Sequence, residues 1–204
     1  MTLTNLLILL GSACIHVVTH IAIKRSRDRS AFVWWMLALG SVIFAPILLI
    51  DRSPVPWQGW ALIVGSAVFE AGYFYAIAKA YHGSDLSIVY PLSRGAGPTL
   101  LLVWSVLLLR EQLTLGGVAG VVTIVGGLYV LNLPQLGAWK EPLRSLRKAS
   151  ARWALGAGAC ISFYTMIDKL GIRYVAPFHY TYLALLVSVL MLTPFTLREI
   201  GTAG

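Results

Sequence analysis

Charged residues are scarce in this sequence, where they make up 12% of the 204 residues. Ordinary globular domains carry about 25% charged residues, so the composition argues against a soluble domain. Apolar residues make up 58% and are gathered into runs long enough to cross a bilayer as helices, which takes about 20 residues. We therefore predict an all-α polytopic membrane protein with seven transmembrane helices, over Leu3–Ile23, Ala31–Ile50, Trp57–Tyr81, Leu86–Leu109, Leu115–Leu133, Trp153–Leu170 and Phe178–Leu197.

Cysteine is also scarce, and the N-terminus lacks a positive flank. Cys14 and Cys160 both fall inside apolar runs, where we expect small packing residues rather than a disulfide. No lysine or arginine precedes the first run, and no small-residue cleavage site follows it before the basic stretch Lys24–Arg29. The first run is therefore predicted to be a retained helix and not a cleaved signal peptide.

The net charge of +8 does not indicate a nucleic-acid partner, because the basic residues lie mainly between the apolar runs. If the helices alternate in direction, eleven lysines and arginines fall on one side of the membrane and four on the other. An excess of basic residues marks the cytoplasmic face. The loops thus predict a multi-pass protein of the cell membrane, here the bacterial inner membrane, with the N-terminus outside. The eleven are Lys24, Arg25, Arg27, Arg29, Lys79, Lys140, Arg144, Arg147, Lys148, Arg152 and Arg198.

A long polar linker and a weak internal similarity suggest two repeats. Placing Lys24 over Lys169 aligns Gly11 with Gly156, so the last two helices resemble the first two. Because five helices precede the linker, a second copy enters the bilayer from the opposite side, as in the inverted repeats of many secondary transporters. We predict a five-helix repeat over 1–133, a linker over 134–150, and the first two helices of a truncated, inverted second repeat over 151–204.

The segment Ala80–Leu133 contains an ordered set of motifs. It has the pattern S-x-V-x-P-L from Ser87 to Leu92, a second proline within the helix, Glu111 in an acidic position, and a last helix with regularly spaced glycines. This set resembles the fourth and fifth helices of the EamA-type repeat of the drug/metabolite transporter superfamily. Arg110 stands where that repeat usually has glycine.

The resemblance extends over nearly the whole chain, since "HVVTHIAIKRSRD" and "FYTMIDKLG" look like a less-studied branch of the same superfamily. It implies a ten-helix, two-repeat carrier for a small metabolite, of which this chain would be a C-terminally incomplete version. It also implies an N-terminus inside the cell, in conflict with the loop charges.

Arg94 is the charged residue deepest in the fourth run, about 12 Å along a helix from its start at Leu86. A charge at that depth costs about 3 kcal/mol on insertion scales. Four helix-disturbing residues surround it, namely Pro91, Gly95, Gly97 and Pro98. A broken helix in a membrane is tolerated where it lines a cavity or is buried in protein. We therefore predict a helix break at a polar interior, with Arg94 binding substrate there; a structural counter-charge is the alternative.

Glu70 lies near the middle of the third run, where an isolated carboxylate either binds a proton or pairs with a cation. The sequence hypothesis is that Glu70 and Arg94 face one cavity, and that protonation of Glu70 releases Arg94 to an anionic ligand. A static ion pair and a protonated Glu70 bonded to a tyrosine are the alternatives. Tyr73 is expected on the same side as Glu70, three residues further along the helix.

Two histidines of the first helix, His16 and His20, are four residues apart on one face. They have the spacing of metal ligands, but no Cys, Asp or Glu nearby completes a site, so we predict neither a metal nor a cofactor. Histidines that line the substrate cavity are the favoured interpretation. Tyr164, one turn inward from Asp168, is a further candidate cavity residue.

The favoured function is secondary transport of a small anionic or zwitterionic metabolite, by alternating access around a midplane cavity. A flippase for a lipid-linked headgroup and an inactive fragment or membrane scaffold are alternatives. A membrane-embedded enzyme is disfavoured, because no catalytic motif is found. The expected partners are a small-molecule substrate and membrane lipids. A homo-oligomer through the Gly116 and Gly120 pair is less favoured than packing of that pair inside the bundle.

Overall fold

A computed structural model describes residues 3–82, 84, 86–108, 110, 112, 114–131, 133, 139–140, 144 and 146–202. Within these residues the chain is helical, with no strand. Glu111 and most of the polar linker lie outside the described residues. The helices are α1 (Leu3–Arg25), α2 (Arg29–Phe44), α3 (Ile47–Ile50), α4 (Trp57–Ala80), α5 (Leu86–Leu107), α6 (Leu115–Leu131), α7 (Ala149–Gly171) and α8 (Pro177–Thr202).

All seven apolar runs of the sequence are helical over most of their described residues, which confirms the prediction of an all-α polytopic membrane protein. α2 and α3 together form one run, bent at the turn that contains Pro46, which cannot donate a backbone hydrogen bond. Four runs are both long and apolar enough to span a bilayer by composition alone, and α6 is a shorter apolar helix. The four are Leu3–Arg25, Arg29–Ile50, Trp57–Ala80 and Pro177–Glu199.

α7 is less apolar than these four because it packs in the centre of the bundle. It lies against both α4 and α5, and its buried face carries small residues, including Ala154, Ala157, Gly158 and Ser162. Small residues let helix backbones approach closely in a membrane. A helix in the centre of the bundle has little contact with lipid, so it can be less apolar than the helices that surround it.

The two helices after the linker pack on the five before it. α7 contacts α4 and α5, whereas α8 contacts α4 and α2. The main contacts of α1 are with α2 and α5, and those of α6 are with α5. The linker therefore does not divide the chain into two separate bodies.

α5 is a continuous helix from Leu86 to Leu107 with Pro91 and Pro98 inside it, so the predicted helix break is not seen. Hydroxyl groups in these turns bond to backbone carbonyls: Ser93 Oγ donates to the carbonyl of Tyr90 at 3.1 Å, and Thr99 Oγ1 to that of Gly95 at 2.8 Å. Serine, threonine and neighbouring helices can support a proline within a membrane helix. The carbonyls that Pro91 and Pro98 leave without a backbone donor are those of Ser87 and Arg94, which these two hydroxyls do not reach. The helix nonetheless continues through both prolines.

The glycines of α5 are points of close contact with other helices. A side chain at Gly95 would overlap Leu128 of α6. At Gly97 a Cβ would lie 2.9 Å from Ile161 Cγ2 of α7, and at Gly158 a Cβ would lie 2.5 Å from Ala96 Cβ and 2.9 Å from a backbone oxygen of α5. The crossing of α5 and α7 therefore depends on glycine on both sides.

The Gly116 and Gly120 pair of α6 does not pack inside the bundle, contrary to the favoured interpretation. A Cβ added at either glycine would meet nothing within 4 Å. Both residues are exposed on the outside of the helix. The dimer interpretation of the pair stays a prediction.

Polar contacts fix the two ends of the bundle. At one end, Lys79 Nζ of α4 lies 2.5 Å from Glu199 Oε1 of α8. At the other end, His179 of α8 lies 3.5 Å from Asp51 Oδ2, in the connection after α3. The backbone N–H of Ser53 donates to Asp51 at 3.0 Å and holds the pKa of this carboxyl below its usual value, with His179 acting in the same direction.

Candidate functional site

Arg94 of α5 meets side chains of α1 and α4 inside the bundle. Its Nη2 atom lies 3.2 Å from His16 Nδ1, 3.4 Å from His20 Nε2 and 3.4 Å from Tyr73 Oη. The guanidinium carbon also lies 5.8 Å from the centre of the Tyr73 ring, within the range of a cation–π contact. Four of the six side chains predicted for the site are therefore together; we refer to them as the Arg94 cluster.

The local sequence explains how α1 supplies two of these contacts. Residues four apart lie on one helix face, so His16 and His20 both point at α5. His20 is 1% exposed, whereas His16 is on the exposed part of α1. The ring of Tyr90, one turn before Arg94, packs edge-on against His20 at 4.7 Å. The cluster therefore has a closed end at His20 and an open end at His16.

Hydrogen-bond chemistry assigns the proton on each imidazole. A guanidinium only donates, so the nitrogens that face Arg94 must accept: Nδ1 of His16 and Nε2 of His20. The proton of His20 is then on Nδ1, which donates to Tyr81 Oη at 2.8 Å. Tyr73 Oη lies 3.2 Å from the same Nε2 atom, so Tyr73 and Arg94 share its one lone pair. Both imidazoles are therefore neutral, so neither balances the positive charge of Arg94.

No carboxylate pairs with Arg94 in the part of the chain that the structure describes. Its Nε atom is buried and has no hydrogen-bond partner there. A buried charge without a counter-ion is costly, because neutral dipoles replace only part of its hydration. The Arg94 cluster is thus a fixed positive charge with unused hydrogen-bonding capacity.

Glu70 lies in a different network, between α4 and α8. Its Oε2 atom accepts from Ser188 Oγ at 2.7 Å. One turn earlier on α4, Ser66 Oγ donates to Asp168 Oδ1 of α7 at 2.5 Å. Among the described side chains Glu70 and Arg94 form no ion pair, so the static pair considered from the sequence is not observed. We call Glu70, Ser188, Ser66 and Asp168 the carboxylate network.

Tyr164 of α7 contacts the Arg94 cluster through Tyr73 and lies one turn before Asp168 on the same helix. Its ring packs edge-on against Tyr73 at 6.3 Å, and Tyr73 in turn contacts Arg94. Tyr73 is on α4, three residues after Glu70. The two tyrosines therefore connect the Arg94 cluster to the helices that carry the carboxylate network.

Several polar partners were not predicted from the sequence. Tyr81 lies at the end of the third apolar run, where an aromatic residue is typical of the membrane interface, and Ser188 lies in an apolar run more than 100 residues from its partner. Lys24 at the end of α1 is a further example, since its Nζ donates to the carbonyl of Ser84 at 2.5 Å. This bond ties the end of α1 to the turn before α5.

Removing the His20 side chain should destabilise the protein. In His20→Ala the buried hydroxyl of Tyr81, which is 0% exposed, loses its partner, at an expected cost of about 1–3 kcal/mol. We expect the midpoint of thermal unfolding in detergent to fall by several degrees. His82→Ala, at an exposed histidine, is the control and should unfold like the unmodified protein. Equal midpoints for both variants would contradict the importance of the His20 bonds.

Comparison with known proteins gives a consistent result. The EamA-like transporter family matches residues 3–133, which is more than half of the chain. The multidrug resistance protein EbrA of Bacillus licheniformis is 28% identical over 108 residues, which cover 51% of this chain and 97% of that protein. No solved structure matches the chain. Together with the multi-pass helical fold, the extent of the family match leads to the conclusion that this chain belongs to the EamA-like transporter family and is a membrane transporter.

Proposed function

We propose that the chain is a secondary transporter of a small anionic or zwitterionic metabolite, which binds at Arg94. The observation that carries this proposal is the absence of a described counter-ion for Arg94, together with the unpartnered Nε atom. A bound carboxylate or phosphate would supply the missing negative charge. Arginine suits such groups because its planar guanidinium can donate two parallel hydrogen bonds.

The surroundings of Arg94 support binding that can be reversed. The arginine contacts neutral acceptors rather than a fixed carboxylate, so a ligand would not compete with an internal ion pair. The open end of the cluster at His16 offers an approach, and α1 has few contacts with the other helices. Alternating access would then involve movement of α1 relative to α5, with the His16 and His20 contacts to Arg94 changing.

The class of substrate is tested by a thermal-shift screen on the purified protein. We expect small carboxylates, phosphonates and inorganic phosphate to raise the unfolding midpoint, whereas amines of similar size leave it unchanged. Stabilisation by the amines alone would contradict an anion site. The anion that stabilises most is then the probe for transport assays in liposomes.

Glu70 is proposed to couple transport to protons through its charge rather than through a bond to Arg94. An ionised Glu70, one turn from Tyr73 on α4, opposes the binding of an anion at Arg94, and protonation removes this repulsion. Asp168 of α7 is the other carboxylate near Glu70, and both carboxylates are bonded to serine hydroxyls.

In Glu70→Gln we therefore expect anion affinity to be high and to depend less on pH than in the unmodified protein, because glutamine mimics the protonated acid. In the unmodified protein affinity should rise as the pH falls. The measurement is the apparent dissociation constant of the best anion between pH 5 and 8, a range chosen about neutrality. Asp51→Asn, a carboxyl change at the far end of α8, is the control. The same pH dependence in Glu70→Gln as in the control would exclude Glu70 as the coupling residue.

The orientation proposed from the loops is an N-terminus outside the bacterial inner membrane. It is supported by the basic residues gathered at the end of the bundle that holds the Lys79–Glu199 pair. A reporter that is active only in the cytoplasm, fused at the N-terminus, tests it. An active fusion would favour the opposite orientation.

Multidrug resistance is a second candidate, because the Bacillus licheniformis relative is named a multidrug resistance protein. Expression in a drug-sensitive strain would then raise resistance to several unrelated compounds. Under this alternative, Arg94→Gln should leave resistance to uncharged compounds intact.

A further inference from the structure

A groove follows the contact between α4 and α8 and joins a polar cleft to an apolar one. The polar cleft, 290 Å³ in volume, opens at the end of the bundle, and its basic lining residues are Arg27, Arg29, Lys79 and His82. The apolar cleft has a volume of 360 Å³ and is lined among others by Val68, Ala71, Tyr75, Met191 and Phe195. We call the whole path the α4–α8 groove.

A small cavity of about 10 Å³ shares lining residues with both clefts. Its lining includes Ser30 and Glu199, which also line the polar cleft, and Tyr75 and Phe195, which also line the apolar cleft. Lys79 Nζ lies 5.4 Å from the centre of the Tyr75 ring, at the point where the lining changes from charged to apolar. One elongated molecule with a charged end and an apolar body fits this sequence of surfaces.

The polar cleft has positive charge available for a ligand. Its two acids are already engaged: Asp28 Oδ1 accepts from the backbone N–H of Ala31 at the start of α2, at 2.9 Å, and Glu199 pairs with Lys79. Neither Arg27 nor Arg29 pairs with a described carboxylate, and the Nε atom of Arg29 is buried without a hydrogen-bond partner. Two guanidinium groups facing a cleft favour a phosphate group.

The length and position of the groove match one leaflet of a bilayer. From Lys79 to Val68 the groove follows α4 for 11 residues, which is about 16 Å at 1.5 Å per residue. This distance is about half of a ~30 Å hydrocarbon layer. The charged end of the groove lies where α4 and α8 end, with basic residues of the α1–α2 turn beside it. Basic pockets between helices near the membrane surface bind anionic lipid headgroups.

We propose that the α4–α8 groove binds an anionic phospholipid, with its phosphate at Arg27 and Arg29 and one acyl chain along the apolar part. The groove does not include Arg94 among its lining residues, so this site is separate from the proposed transport site. A lipid there would bridge α2, α4 and α8, and would stabilise their packing without being transported.

The test uses the full chain in neutral detergent, with phosphatidylglycerol, phosphatidylcholine and inorganic phosphate as probes. We expect phosphatidylglycerol to raise the unfolding midpoint and to remain bound in native mass spectrometry, whereas phosphatidylcholine binds at least about tenfold more weakly. Equal affinity for the two lipids would overturn the proposal, because the groove would then not recognise the net charge of the headgroup.

Two variants examine the two parts of the groove. The double variant Arg27→Gln/Arg29→Gln should bind phosphatidylglycerol at least about tenfold more weakly than the unmodified protein. Arg25→Gln/Arg152→Gln removes two exposed arginines outside the lining of the groove, and it should bind like the unmodified protein. Val68→Phe fills the apolar cleft without changing charge, and it should also weaken binding of the lipid.

Two further results would contradict the lipid site. If both double variants lose affinity equally, the effect is one of overall charge and not of the groove. If inorganic phosphate stabilises the protein as much as phosphatidylglycerol does, Arg27→Gln/Arg29→Gln removes that stabilisation, and Val68→Phe leaves lipid binding unchanged, the polar cleft binds free phosphate. In either case the proposed transport at Arg94 would be unaffected.

Discussion

Arg94→Gln should lower transport of the anionic substrate roughly 10- to 100-fold, the equivalent of one or more charge-assisted hydrogen bonds of about 1.5–3 kcal/mol. Glutamine keeps part of the side-chain length and can still donate to His16 and His20, but it has no charge to offer an anion. The measurement is the uptake of the best anion from the ligand screen into liposomes that contain equal amounts of each protein.

The same variant should fold at least as well as the unmodified protein. Removing a buried charge that has no counter-ion among the described residues relieves its desolvation cost, and residues kept for function are often unfavourable for stability. We therefore expect an unchanged or higher unfolding midpoint together with lost transport. Arg52→Gln, at an exposed arginine, is the control with the same change in charge. A stability loss in Arg94→Gln with transport intact would instead identify Arg94 as a structural counter-charge.

Gly158→Ala and Gly156→Ala should change stability in opposite directions. Both glycines are on α7, and alanine favours a helix by up to about 1 kcal/mol over glycine. At Gly156 a Cβ meets nothing within 4 Å, so this gain should be realised. At Gly158 the added Cβ meets Ala96 and the backbone of α5, and such overpacking costs about 1–3 kcal/mol.

The expected result is a fall of the unfolding midpoint for Gly158→Ala and a small rise for Gly156→Ala, at roughly 2–4 °C per kcal/mol for a chain of this size. Because Ala96 is two residues from Arg94, moving α5 away from α7 should also weaken anion binding in Gly158→Ala alone. If both variants stabilise the protein, the close crossing of α5 and α7 is not present in solution.

The helices could be predicted from the sequence because apolar length alone determines them, but the partners of charged residues could not. Glu70 and Tyr73 are three residues apart, so their side chains differ by roughly 60° around α4. This angle is enough to direct Tyr73 to Arg94 and Glu70 to Ser188 of α8. Arg94 is the deep cation nearest to Glu70 in the sequence, which suggested it as the partner. In the structure Glu70 instead accepts from Ser188 of α8, a helix that follows the linker.

The contacts of α1 could also be predicted from the sequence, whereas the continuity of α5 could not. The four-residue spacing of His16 and His20 defines a common face, and this face contacts Arg94. Proline and glycine composition, in contrast, does not distinguish a broken helix from a continuous one, because the outcome depends on neighbours. At Gly95 and Gly97 these neighbours are Leu128 and Ile161, and close packing rather than a break explains the glycines.

The position of a bound anion tests the account most directly. A structure of the protein soaked with 4-bromobenzoate, whose ring-bound bromine is not displaced by histidine or cysteine, would show the bromine by its anomalous scattering. The account predicts its carboxylate in hydrogen-bond contact with the guanidinium of Arg94, beside His16. An anion bound elsewhere in the bundle, with the Arg94 cluster unchanged, would contradict the claim that the substrate binds at Arg94.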